Sequence, residues 1–128
     1  MFIAKMTILM ENTVLASIME ENLKRVWSER DSVTRLKAID DLYVSNSALF
    51  HVGHQTYGHH GINDSVTEVL KQMPDGFVFR LLKPVVINND IGRLVWGVGT
   101  EGKAPVETGM DIAVFQNGKI QALYVFLD

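Results

Sequence analysis

Asp111 and His51 are the side chains whose type and setting suggest proton chemistry. Asp111 interrupts an apolar stretch, Met110-Asp111-Ile112-Ala113-Val114-Phe115, ahead of Gln116-Asn117-Gly118-Lys119 and a second apolar run from Ile120 to Leu127. Asn-Gly between two extended runs signals a two-residue hairpin, because a type I′ turn requires φ > 0 at both central residues. Counting outward places Gln116 opposite Lys119, Phe115 opposite Ile120, Ala113 opposite Ala122 and Asp111 opposite Tyr124. Directly opposed residues share a sheet face, so the expected face of Asp111 holds Ala113, Phe115, Ile120, Ala122, Tyr124 and Phe126. Burial in that company raises a carboxyl pKa, the condition for an acid or base working near neutrality. The structural alternative is an aspartate satisfied by a tyrosine hydroxyl or by backbone amides.

His51 is the natural partner, since histidine titrates near neutrality. Paired with Asp111 it supports proton shuffling beside a carbonyl or activation of a water. Its structural alternative is a strand-end histidine with one nitrogen bonded to backbone. The other histidines, His54, His59 and His60, lie in a stretch read as a loop, Gly53 to Gly61. His59 and His60 are adjacent and diverge on an extended chain, and no Asp or Glu completes a compact set, so no metal site is expected. With no cysteine, disulfides, thiolate ligands and cysteine nucleophiles are excluded. No phosphate-cradling glycine loop, serine elbow or dinucleotide fingerprint is present. Gly97, Gly99 and Gly102 have no helix after them and are read as relief of sheet curvature.

These residues must be positioned by a single domain, since 128 residues allow one sizeable core and not two. A hydrophobic share of 47%, 21% charged residues and a net charge of −3 describe an ordinary globular chain. No Lys/Arg cluster offers a surface to nucleic acid or to an anionic membrane. Met1 to Met10 is apolar around Lys5, too short to span a bilayer and without a signal-peptide pattern, and is read as an arm or a short strand; a cytoplasmic location is the default expectation. Helical spacing predicts a first helix from Asn12 or Thr13 to about Ser28 and a second from Asp31 or Ser32 to Tyr43. A short strand follows at Ala48–Val52, then a third helix carrying Ile62, Val66, Val69, Leu70 and Met73 up to Pro74-Asp75-Gly76. Beyond that the pattern is extended: Phe77–Ile87 as a long strand or a bent pair, Ile91–Thr100, Val106–Phe115 and Lys119–Leu127. Helices first and strands last means α+β, helices packed on one face of an antiparallel sheet.

This order resembles the cone-shaped fold of the nuclear transport factor 2-like (NTF2-like) superfamily, and particular residues are similar to its SnoaL-like branch. They are Trp27, Leu42-Tyr43, Gly61-Ile62, Gly92-Arg93-Leu94-Val95-Trp96, Gly109-x-Asp111-Ile112-Ala113, Asn117-Gly118-Lys119-Ile120 and Leu123 to Asp128. The resemblance covers Glu11 to Asp128, and implies three helices on a strongly curved sheet with a pocket between them. It places Asp111 at the strand position of the oxyanion-side carboxylic acid of ketosteroid isomerase, and similarly to the catalytic aspartate of polyketide cyclases. His51 falls where the isomerase keeps its general-base aspartate, and Leu23 stands where that enzyme has its oxyanion tyrosine. The fold hosts many activities, so function rests on the site.

Three readings follow. The first is a cofactor-free isomerase, cyclase or hydrolase acting on a small hydrophobic carbonyl compound through Asp111 and His51. The second is a binding protein with the same pocket and no turnover; the third is a dimerisation or accessory domain. Trp27, Tyr57, Phe79 and Trp96 are candidates to line the pocket, together with Tyr124, Phe115 and Phe126 on the hairpin face. The opposite hairpin face reads Met110, Ile112, Val114, Leu123, Val125 and Leu127. A sheet apolar on both sides needs a cover, so a homodimer through the outer face is expected.

Overall fold

The computed structural model describes residues 2–128. Helix α1 runs Phe2–Asn22 and passes into a π-helical turn, Leu23–Trp27. Phe2–Met10, expected as an arm or short strand, instead forms the first turns of this helix. Nothing between Phe2 and Trp27 breaks it, since the stretch contains neither proline nor glycine. Thr13, one of the two expected N-caps, instead bonds its hydroxyl back to the Leu9 carbonyl at 2.9 Å, the mid-helix habit of threonine. The 26-residue span Phe2–Trp27 is long and apolar enough, by length and composition, to cross a membrane. Its far end is nonetheless built into the domain: Met19, Asn22, Leu23, Val26 and Trp27 are buried, whereas Phe2, Ile3 and Met10 are exposed.

Helix α2 (Ser32–Leu42) starts where Asp31 accepts the Thr34 amide at 3.0 Å, an N-cap of the expected kind. Strand β1 follows at once as Tyr43–His51, longer than the Ala48–Val52 expected. The presumed loop Gly53–Gly61 is instead a tight turn with Gly53 at φ 77, then strand β2 (His54–Tyr57), then the opening of helix α3 (Gly58–Lys71). Strands β3 (Phe77–Leu81) and β4 (Val86–Asn88) are the bent pair, followed by β5 (Ile91–Thr100), β6 (Glu107–Gln116) and β7 (Lys119–Leu127).

The strands form one curved, unclosed seven-stranded sheet in the order β2-β1-β7-β6-β5-β3, with β4 also on β5. Neighbours are antiparallel except β1 and β7, which run parallel. Both helix–sheet layers share one core, centred on Val26, Ile39, Leu49, Ile62, Val66, Leu94, Ala113, Ile120 and Leu123.

The closing hairpin corrects one expectation with large consequences. Asn117 (φ 52) and Gly118 (φ 75) make the turn, with Gln116 opposite Lys119 and Phe115 opposite Ile120 as counted. Then Val114 pairs with Ala122, so Gln121 is an extra residue, a β-bulge on β7. Because side chains alternate, one inserted residue exchanges the two faces of the rest of the strand. Asp111 therefore opposes Val125, not Tyr124, and Ala113 opposes Leu123, not Ala122. The face toward the helices carries Asp111, Ala113 and Phe115 with Leu123, Val125 and Leu127; the outer face carries Met110, Ile112 and Val114 with Ala122, Tyr124 and Phe126.

Candidate functional site

His51 and Asp111 lie in one row across three strands. His51 on β1 pairs with Val125 on β7, and Val125 pairs with Asp111 on β6. Paired residues share a face, and neighbouring strands are about 4.8 Å apart, so the two Cα atoms stand roughly 10 Å apart with Val125 between them. Both side chains line a pocket of about 970 Å³ between the sheet, the π-helical turn and α3.

Asp111 is 3% exposed. One oxygen, Oδ1, accepts the indole N–H of Trp96 at 2.9 Å. Burial pushes its pKa up to about 7, and the Trp96 hydrogen bond pulls the other way. A carboxyl in that state passes between acid and anion near neutrality. Gly109 makes the geometry possible: a Cβ there would overlap the Trp96 indole, which lies across it. The glycine two residues before the aspartate thus lets a tryptophan reach the aspartate's oxygen.

His51 is oriented by α3, its Nε2 standing 2.8 Å from Ser65 Oγ. Burial, and then the neighbouring His54, hold its pKa below the ordinary histidine value, so the neutral imidazole, the basic form, is favoured. The His54 ring stacks on it at 5.1 Å. From His51 a belt of edge-to-face rings runs round the cavity: Trp27 at 6.5 Å, Phe79 a further 5.7 Å on, Trp96 5.2 Å beyond. Trp96 then closes the circuit by its bond to Asp111. Ser28 fixes the middle of this belt by accepting the Phe79 amide at 3.0 Å.

Of the residues expected in the pocket, Trp27, Phe79 and Trp96 line it, together with His51, Asp111 and Leu23. Tyr124, Tyr57 and Phe126 do not: the bulge turns Tyr124 and Phe126 outward, and all three are more than a third exposed. Phe50 stacks on Tyr124 at 4.7 Å and meets Tyr57 edge-on, so these rings form an aromatic patch on the outer face. Phe115 is buried beside Met19 over Gly92 and belongs to the core. Ser65 escaped sequence reading although α3 carries a signal for it. Gly61, Asp64, Ser65, Glu68 and Gln72 follow helical spacing beside the apolar stripe and all face the pocket.

Tyr43, beside the site, is fully buried and donates to Asn22 Oδ1 at 2.7 Å. Burial and the nearby Asp111 raise its pKa, so it remains a neutral phenol. His59, read as part of a loop but placed in the first turn of α3, contacts Asp40 at 2.6 Å through Nδ1 and the carbonyls of Tyr43 and Val44 through Nε2. Among the described residues no three His, Asp or Glu side chains are grouped to hold a metal ion.

This architecture is a cone-shaped fold of the NTF2-like kind. It is similar to a proposed isomerase of the SnoaL-like family from Agrobacterium tumefaciens str. C58, with TM-score 0.82 and 22% identity over 91% of this chain and 98% of that one. A SnoaL-like proposed polyketide cyclase from Jannaschia sp. CCS1 superposes with TM-score 0.74 at 11% identity, over 91% and 87% of the two chains. A de novo designed protein with a curved β-sheet reaches TM-score 0.69 at 16% identity, over 91% and 86%. A designed sheet matching about as well as natural proteins shows that the likeness is one of fold. No family model and no curated protein matches the chain.

Proposed function

We propose that the chain binds a small hydrophobic carbonyl compound in the cone and catalyses proton transfer beside the carbonyl without a cofactor. The observation that carries this is the single row His51–Val125–Asp111, with both titratable groups facing one aromatic-walled pocket. Asp111 in its acid form donates its proton toward the carbonyl oxygen. In the tautomer whose Nε2–H donates to Ser65, His51 uses Nδ1 to take the proton from the adjacent carbon. The product is an enol, and return of both protons gives back the ketone or its isomer. Leu23, where a helix-borne tyrosine would stand in the isomerase, leaves Asp111 as the donor to the oxygen.

The test uses 2-decalone in D₂O, following loss of its α-protons by NMR. The wild type is expected to accelerate exchange, and Asp111→Asn to lose about 10²–10⁴-fold of that rate with little change in affinity. Equal loss of rate and affinity would assign the pocket to binding alone. The outer face supports a second element of the reading, a homodimer. Tyr124, Tyr57 and Phe126 form an exposed apolar surface with Phe50, of the kind that promotes association. Sedimentation velocity at micromolar concentration is expected to show a dimer that Phe126→Asp dissociates; a wild-type monomer refutes it.

A further inference from the structure

The charges around the pocket go beyond that reading, on which this inference rests, and narrow its substrate class. Ten of the lining side chains are apolar, among them Trp27, Phe79, Trp96 and Val125. The ionisable ones are His51, His54, Asp64, Glu68, Glu107 and Asp111; among the described residues no Lys or Arg lines the cavity. Lys71 pairs with Glu68 at 3.3 Å but is mostly exposed and lies outside the lining. Asp64, Glu68 and Glu107 are exposed and Asp111 is buried, so three carboxylates form the rim and one the floor. Asp64 and Glu68 stand one helical turn apart on α3, while Glu107 opens β6.

A second, independent observation points to a ligand within this ring of charge. Asp111 bonds to Trp96 through one oxygen only, and its other oxygen, in a side chain that lines the cavity, has no hydrogen-bond partner among the described residues. A buried carboxyl left half-satisfied fits a ligand that brings the missing partner. We propose that the pocket selects a hydrophobic amine. The apolar body packs on Trp27, Phe79 and Trp96, a carbonyl or hydroxyl meets Asp111, and the ammonium sits at the Asp64, Glu68 and Glu107 rim. Anionic analogues are excluded because, among the described residues, no Lys or Arg lines the cavity and the rim carboxylates repel them.

Trp27 and Trp96 are the only tryptophans in the chain, and both line the cavity, so intrinsic fluorescence reports occupancy. The probes are 2-cyclohexylethylamine, 2-cyclohexylethanol and 3-cyclohexylpropanoate, titrated at neutral pH and low salt. The amine is expected to bind about tenfold more tightly than the alcohol, since each solvated pair contributes modestly, and the propanoate more weakly than either. The amine-to-alcohol ratio should approach one in Asp64→Asn/Glu68→Gln/Glu107→Gln, and in wild type at about 1 M salt, where the Debye length is about 3 Å. Alcohol binding with no amine preference, or a preference that survives the triple variant, overturns this inference while the pocket reading stands. Failure of all three probes to bind overturns both.

Discussion

Two buried polar centres on opposite sides of α3 are built on opposite rules. Arg35 on α2 is 1% exposed. Its Nε donates to the Glu29 carbonyl at 2.9 Å, and its Nη1 faces the Asn63 carbonyl, Asn63 Oδ1 and Thr67 Oγ1 at 3.0, 2.8 and 2.6 Å. Asn63 in turn donates to the Ser32 carbonyl at 3.0 Å. Asp111 is nearly as buried, yet holds one hydrogen bond and opens onto a cavity. A buried polar group is expensive unless paired. Saturation at Arg35 is what a structural tie between α2, α3 and the preceding loop requires. Spare capacity at Asp111 would be a defect in a purely structural residue.

That contrast breaks most directly at Arg35. Arg35→Ala strips the Asn63, Thr67 and Glu29 acceptors of their donor and leaves a cavity where one of the largest fully buried side chains stood. The expected loss is roughly 3–5 kcal/mol of unfolding free energy in urea, on the scale of breaking a buried charged network. Asp111→Asn, in the same experiment at neutral pH, should not destabilise the fold. Arg35→Ala within about 1 kcal/mol of wild type, or a collapse on Asp111→Asn, would erase the distinction between the two centres.

The contrast also explains what could be read from the residues alone. The three helices, the bent strand pair and the Asn117-Gly118 turn follow from periodicity and turn chemistry, which are local. The bulge at Gln121 is not local, because nothing in Lys119-Ile120-Gln121-Ala122 marks it and it arises from fitting β7 between β6 and β1. Missing it put Tyr124 beside Asp111 and misplaced Phe126 in the pocket. Asp111 itself was legible because a lone carboxylate in an apolar strand is conspicuous under either register. Trp96 as its partner was not: Trp96 sits opposite Gly109, two residues from Asp111, and the contact depends on how the indole crosses that glycine. Arg35 carries no comparable signal in the sequence, since its burial is imposed by α3 packing across α2.

The pH dependence of stability sharpens the comparison at its finest point. Asp111 has a folded pKa raised to about 7 from an ordinary 3.8. Between those values the folded protein holds a proton that the unfolded chain has released. Its contribution is therefore complete below about pH 4 and is lost as pH rises through about 7, on the order of 4 kcal/mol in all. His51, held below its ordinary 6.5 by burial and His54, works in the other direction: its contribution is present above that value and lost on acidification. Just below pH 6.5 the two oppose each other, and the Asp111 decline levels off above about pH 7, where the carboxyl is ionised in both states. The urea-unfolding stability of the wild type relative to Asp111→Asn, which has no proton to release and keeps His51, should fall by about 3 kcal/mol from pH 4.5 to 7. A difference that stays flat over that interval would mean the carboxyl is already ionised in the folded protein, and it would remove Asp111 as the proton donor.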